Sequence, residues 1–291
     1  MDEPADRFYE SHGLRLHYVD WGNASAPPLV LIHGGLDHCR IWDAIANELQ
    51  PHFHIMAPDL RGHGDSEWAK GSSYSLTDHV YDLSRLMHFA DVRDAAIVGH
   101  SLGGMISLAY SGTYPERVSR LAVLDGVFLS GSGGTPIHER MSRWISQLDR
   151  ISQHEASAFQ SIEEAAQRLS ARNKKLTAQQ ALHLAQHGVR QDTDGLYRWK
   201  FDHFQRARAP YRLSAKDYIA LWSRITCPTL LMWGDESFLP DPEASGLFAH
   251  FKRAELQKIA GAGHWLHHDQ LDVVLASLRR FLDTTQPAQT R

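Results

Sequence analysis

Gly99-His100-Ser101-Leu102-Gly103 sets one hydroxyl between two glycines, each two residues away. The apolar run AAIVGH leads into this stretch and ISLAYSGTYPERV follows it, so a strand gives way to a helix at the serine. In that setting G-x-S-x-G reads as a nucleophile elbow. The tight turn strains the serine's backbone and exposes its hydroxyl above the sheet. Gly99 and Gly103 lack side chains because the chain segments must approach closely there. The helix that follows aims free N–H groups and its positive dipole end at any oxyanion formed beside Ser101. The competing reading is a glycine-rich turn with an incidental serine, and the strand-to-helix context argues against it.

The flanking segments supply the elements such an elbow needs. FYES and LRLHYVDW read as two antiparallel strands around a turn at His12-Gly13. PLVLIHG, HIMAPDL, AAIVGH and RLAVLDG are near-continuous apolar runs, as parallel strands covered on both faces require. Helical patterns lie between them at 41–49, 77–90 and 102–114, with Thr77 as an N-cap and Pro115 as a stop. This alternation predicts an α/β fold with a mostly parallel central sheet, right-handed crossovers and flanking helices. From about residue 127 to 224 the buried-strand runs stop. ERMSRWISQLDR and SIEEAAQRLSARNKKL read as helices, and DGLYRWKFD as a turn with a short extended segment. Strand runs return with PTLLMWGD and AELQKIAG, followed by a helix over 269–282 and a frayed tail, TTQPAQTR. The expected division is a core of 1–126 and 225–291 with a helical cap, 127–224, inserted over the sheet's C-terminal edge.

Composition narrows the function. A net charge of −4 over 291 residues offers no basic surface for nucleic acid or an anionic membrane. Cys39 and Cys227 are far apart and lack metal spacing, which points to a reducing compartment. MDEPADRFYE has no apolar signal core and no stretch approaches 18 apolar residues, so a cytoplasmic location is expected. Of the nineteen histidines, His52, His54, His79, His88 and His183 read as solvated single side chains, not ligands. No metal or cofactor is expected, the partner is a small molecule, and monomer and homodimer both stay open.

GHSLGG, LIHGG at 31–35, DLRGHGDS at 59–66, PTLLMWGD at 228–235 and GAGHW at 261–265 together resemble the α/β-hydrolase superfamily, in its order and over nearly the full length. The DGLYRWKFD hairpin also resembles that of bacterial capped hydrolases related to serum hydrolase-like proteins. The resemblance implies that Gly35 supplies an oxyanion amide together with Leu102, with Leu36 as the alternative donor. It implies that His264, in a glycine-containing loop after the last strand, is the base. His33, His63 and His100 read as structural or pocket-lining, and His267 and His268 as pocket rim or surface.

The acid departs from the family pattern. After PTLLMWG the family usually reads G-x-x-D, and here Ser237 stands at that place. Asp125, at the end of RLAVLDG, occupies a second location used in the family and is favoured, with Glu236 and Asp235 as alternatives. The implied function is a serine hydrolase that cleaves a carboxylic ester or lactone of a small, largely apolar substrate through an acyl-enzyme. Serine at 101 disfavours the aspartate-nucleophile dehalogenases and epoxide hydrolases. C–C hydrolases, amidases, acyltransferases and a non-catalytic small-molecule receptor remain as alternatives. His100, Trp42, Phe128, Phe238 and Trp265 flank the motif loops and are expected to line the substrate pocket.

Overall fold

The computed structural model describes residues 3–71, 74–129, 134–153 and 157–283. β1 (Ala5–Ser11) and β2 (Leu14–Asp20) form an antiparallel hairpin through His12 and Gly13, both at positive φ, as a tight hairpin turn requires. Next come β3 (Pro28–Ile32), α1 (Asp43–Leu49), β4 (His54–Pro58), α2 (Leu76–Phe89), β5 (Ala95–His100), α3 (Leu102–Thr113) and β6 (Val118–Leu124). α4 (Ile137–Ser152), β7 (Ala158–Phe159), α5 (Ile162–Arg172), α6 (Ala178–Gly188), β8 (Val189–Gln191), β9 (Tyr197–Trp199) and α7 (Ala215–Trp222) follow. The described chain closes with β10 (Thr229–Gly234), β11 (Ala254–Ile259), α8 (Leu266–Asp269) and α9 (Leu271–Leu282). The TTQPAQTR tail lies outside the described residues.

The main sheet runs β1-β2-β4-β3-β5-β6-β10-β11, parallel from β4 onward, with the β1–β2 hairpin joined antiparallel to β4. Alternating residues of its central strands feed two cores. Val30, Ile97 and Leu121 face Leu86, Ile106 and Trp222, while Leu31, Val98 and Leu124 face Ile45, Leu49 and Leu278. Burial on both faces is why these strands read as unbroken apolar runs. Among the described residues no helix is long and apolar enough to cross a membrane.

Two expectations are corrected here. α2 is capped by Ser75, not Thr77: the Ser75 hydroxyl accepts from Asp78 N–H while the Asp78 carboxylate accepts from Ser75 N–H. An acid three residues after a serine closes a capping box, and Thr77 is left inside the first turn. The segment between β6 and β10 also holds more strand than the one short extended segment expected within 194–202, where β9 lies. It carries a second antiparallel sheet, β7-β9-β8, packed with α5 and α6 around Phe159, Ala165, Ala181 and Val189. Strands of two or three residues are too short to show a period of two in sequence.

That segment is fastened to loops beyond the parallel strands' C-terminal ends. Asp202 N–H donates to the Gly62 carbonyl at 2.7 Å, Trp68 Nε1–H to the Lys200 carbonyl at 2.8 Å, and Lys200 pairs with Asp65 at 2.8 Å. His38 Nε2–H donates to the Leu184 carbonyl at 3.0 Å. These bonds fix α6 and the residues just after β9 against the loops that follow β3 and β4.

Candidate active site

Ser101 leaves β5 with φ 52° and ψ −114°, a left-handed backbone that a residue bearing a Cβ adopts only under constraint. Its N–H donates to the Leu124 carbonyl and its carbonyl accepts from Met105 N–H, each at 3.0 Å, so β6 and the first turn of α3 hold the turn from both sides. The two glycines answer to backbone. A Cβ on Gly103 would run into the carbonyls of Ile32 and His33, and one on Gly99 into the Gly103 carbonyl and the Ser107 hydroxyl. Close approach of α3 to β3 is therefore the reason for G-x-S-x-G in this chain.

The Ser101 hydroxyl makes no helix cap and meets His264 instead, with Oγ 2.9 Å from Nε2. His264 stands on the loop between β11 and α8, and its Nδ1 lies 2.6 Å from Asp125 Oδ2. Asp125 follows the last residue of β6 at φ 46° and is buried. Of the three candidate acids, Asp125 alone meets His264. Asp235 accepts from Gly261 N–H at 2.8 Å, and Glu236 pairs with Lys175 at 2.6 Å.

Ser237 has a role that sequence reasoning missed. Its hydroxyl donates to Asp125 Oδ2 at 2.5 Å and accepts from Leu239 N–H at 3.0 Å. The signal was present: a serine at the usual acid position, with an aspartate at the end of the adjacent strand. The hydroxyl stands where a second carboxylate would have repelled the first.

Across from the serine, the loop after β3 is held by two histidines. His63 Nε2 accepts the Leu36 N–H at 3.1 Å while its Nδ1–H donates to the Arg61 carbonyl at 2.9 Å. His33 Nε2 accepts from Leu60 N–H at 3.0 Å, and its Nδ1–H donates to the Gly34 carbonyl at 2.7 Å. One nitrogen donating and the other accepting is the pattern of a neutral ring. Burial enforces it, pushing His33 down to about 3 and His63 to about 4. The Leu36 amide, the alternative oxyanion donor, is thus already engaged. The Gly35 and Leu102 amides donate to nothing among the described residues, and a Cβ on Gly35 would lie 3.9 Å from Leu102 Cδ2.

The expected pocket residues scatter. His100 is fully buried; its Nε2–H donates to the His264 carbonyl at 2.8 Å, and its ring leaves no room for a Cβ on Gly34. It braces the His264 loop from beneath. Trp42 is core, stacked at 5.0 Å on His267, which is itself buried and not rim. Both sit on apolar faces that pack under the sheet, which a list of loop-flanking aromatics cannot distinguish from a pocket. Phe128 packs half-buried against the core, and Phe238 is 73% exposed with its ring 4.4 Å from that of His264. Trp265 lines a cavity of about 430 Å³ whose wall also includes Leu36, Asp37, Trp199 and Phe201. Three arginines join a wall that is otherwise mostly apolar, with Leu169, Leu176 and Leu184 beside the aromatic rings. Burial pushes the Asp37 carboxyl up to about 6, against the pull of Arg172.

Three histidines expected to be solvated single side chains are not. His79 is buried, His54 Nε2 lies 3.1 Å from Asp20 Oδ1, and His183 lies 3.2 Å from Asp43 and beside His187. Asp43, His183 and His187 bring ligand-type atoms within 4.8 Å of one another, as do His17, Cys39 and Asp59. Arg40 already pairs with Asp43 at 2.8 Å, and His17 with Asp59 at 2.7 Å.

The alpha/beta hydrolase fold family matches residues 27–271. The chain belongs to that family. It is 25% identical over 265 residues to the esterase YbfF of Escherichia coli, covering 88% of this chain and 93% of that one. It is 24% identical over 292 residues to the cis-3-alkyl-4-alkyloxetan-2-one decarboxylase of Shewanella oneidensis, covering 98% and 90%. The thioesterase domain from the curacin biosynthetic pathway superimposes with a TM-score of 0.86 at 24% identity, covering 96% of this chain and all of that one, and shows the same fold.

Proposed function

We propose that this chain is a serine hydrolase that cleaves a carboxylic ester or lactone of a small molecule through an acyl-enzyme. The observation that carries the reading is the unbroken line Ser101 Oγ, His264 Nε2, His264 Nδ1, Asp125 Oδ2, at 2.9 and 2.6 Å. Ser101 attacks the carbonyl carbon while His264 Nε2 takes its proton, and the carbonyl oxygen becomes an oxyanion facing the Gly35 and Leu102 amides. Collapse breaks the ester bond, and His264 returns the proton to the departing alkoxide. Water then attacks the acyl carbon with His264 again as base, and the acid leaves with Ser101 restored. Asp125 accepts from Nδ1–H throughout, which fixes the tautomer and stabilises the imidazolium. The segment 127–224 acts as a cap that shapes the substrate cavity over a core of 1–126 and 225–291.

One relative is named an esterase, which supports ester chemistry, and another is named as a decarboxylase of an oxetan-2-one, a four-membered lactone. Ser101→Ala tests the reading. Turnover of 4-nitrophenyl butyrate should fall by at least about 10⁴-fold with the fold retained, and phosphonate labelling of residue 101 should vanish. Retention of most activity in the purified variant would refute it.

A further inference from the structure

The cavity beside the serine carries charge that ester cleavage by itself does not require. Leu36 and Asp37 open its wall directly after Gly35, and Trp265 directly follows His264, so it adjoins the site within a residue on either side. Its solvent-facing side is lined by the exposed Arg168 and Arg172, one helical turn apart on α5, and by the exposed Arg206 from the short helix after β9. None of the three makes an ion pair or side-chain hydrogen bond with a described residue. Elsewhere Arg40, Arg61, Arg143, Arg198 and Arg279 all have carboxylate partners.

The three guanidiniums are nevertheless positioned. Arg172 lies over the Trp265 ring at 5.1 Å and Arg206 over the Phe201 ring at 5.5 Å, which uses their faces and leaves their N–H edges unspent. Like charges at i and i+4 disfavour a helix, which the place of Arg172 in the last turn of α5 and its contact with Trp265 offset in part. Burial, and then the charge of Arg172, push the Arg206 guanidinium down. Asp37 is the one carboxylate in the wall, and His268 is held neutral by burial at about 3. A chain of net charge −4 therefore gathers a locally positive cavity at its candidate site.

We propose that Arg168, Arg172 and Arg206 form a carboxylate-binding subsite, and that the substrate is an acidic ester or lactone with a free carboxylate several bonds from the scissile carbonyl. This rests on the serine-hydrolase reading and names its substrate class. Guanidinium forks match a carboxylate's two oxygens.

The test compares mono-4-nitrophenyl adipate with 4-nitrophenyl hexanoate, which has the same chain length and no acid. The wild-type chain should prefer the adipate by roughly tenfold in kcat/KM, with most of the preference in KM and eroded by salt. The R168Q/R172Q/R206Q variant should lose that preference, and R168E/R172E should shift it toward a quaternary-ammonium ester. Lys252→Gln, an exposed cation elsewhere, should leave it unchanged. A purely structural role would lower both esters together and leave the ratio intact, which would overturn the proposal. Calorimetry of adipate itself with the Ser101→Ala protein separates the two readings. Adipate binding that the triple variant abolishes supports the subsite even if no ester turns over, in which case the hydrolase reading alone fails. Equal use of both esters together with arginine-independent adipate binding overturns the subsite. Stronger competition by inorganic phosphate than by adipate overturns the carboxylate assignment.

Discussion

Asp125→Asn is the substitution on which the local geometry makes the sharpest demand. Asp125 Oδ2 accepts from both His264 Nδ1–H and the Ser237 hydroxyl, while Oδ1 is buried with no partner among the described residues. An asparagine can enter this pocket in two ways. With its oxygen in the Oδ2 place it keeps both bonds but buries an NH₂ at Oδ1 with nothing to accept it, at about 1–3 kcal/mol. With its NH₂ in the Oδ2 place it can donate to Ser237, but it then presents a donor to His264 and selects the tautomer protonated at Nε2. That tautomer points a proton at Ser101 and cannot remove one. The unsatisfied amide of the first orientation favours the second by roughly 10- to 100-fold. Even the first orientation removes the negative charge that offsets the imidazolium. The neutral replacement of the corresponding acid in a serine protease lowers kcat by about 10⁴-fold, or about 5.5 kcal/mol. A loss of about 10³ to 10⁴ in kcat is therefore expected, with KM within about threefold.

The assay is steady-state hydrolysis of 4-nitrophenyl butyrate, with phosphonate titration to count competent sites and thermal unfolding to verify the fold. Ser237→Ala removes one of two hydrogen bonds to the carboxylate and leaves the tautomer correct, so about a tenfold loss is expected. Asp235→Asn and Glu236→Gln, whose carboxylates serve Gly261 and Lys175, should change kcat by less than about threefold. An Asp125→Asn protein with more than a tenth of wild-type kcat, or a Glu236→Gln protein equally impaired, would refute the reasoning.

His63→Ala should release the Leu36 amide and loosen the oxyanion loop, lowering kcat roughly 10- to 100-fold; an effect confined to KM would show that the loop does not depend on His63. Gly103→Ala drives a Cβ into two backbone carbonyls that cannot rotate away and should cost about 3 kcal/mol or more, or roughly 6–12 °C in Tm; an unchanged Tm would contradict the close packing of α3 on β3. Stability should fall as pH drops from 6.5 toward 5. His33, His38, His63, His79, His100 and His267 are buried with folded pKa values pushed below 6.5, so the unfolded chain binds more protons in that window. Each lowers stability in that window, partly offset by His17, which Asp59 holds protonated against the penalty of burial. Urea midpoints that stay flat between pH 7 and 5 would show those rings to be accessible.

What could be read in advance divides along physical lines. The parallel sheet was legible because burial on both faces leaves unbroken apolar runs, and Ser101 was legible because a strained turn between crowded segments admits only glycine at 99 and 103. Trp42 and Trp265 had equal standing as loop-flanking aromatics, yet one stacks under the sheet on His267 and the other lines the cavity. Which way a ring turns depends on its helix's rotation against the sheet, and no local pattern records that. Ser237 shows the opposite limit. Its position was read correctly as the place where an acid was missing, but its meaning lies in a contact 112 residues away. The arginines show a third. Arg168 and Arg172 look like any solvated helix face in SIEEAAQRLSAR, and only the fold shows that they border the cavity and form no ion pair with a described residue. A cation paired in the folded chain can be explained by stability. Three exposed cations that converge on one cavity beside a serine–histidine pair, two of them laid over its aromatic rings, match an acidic substrate, which brings the negative charge that Asp37 alone does not supply.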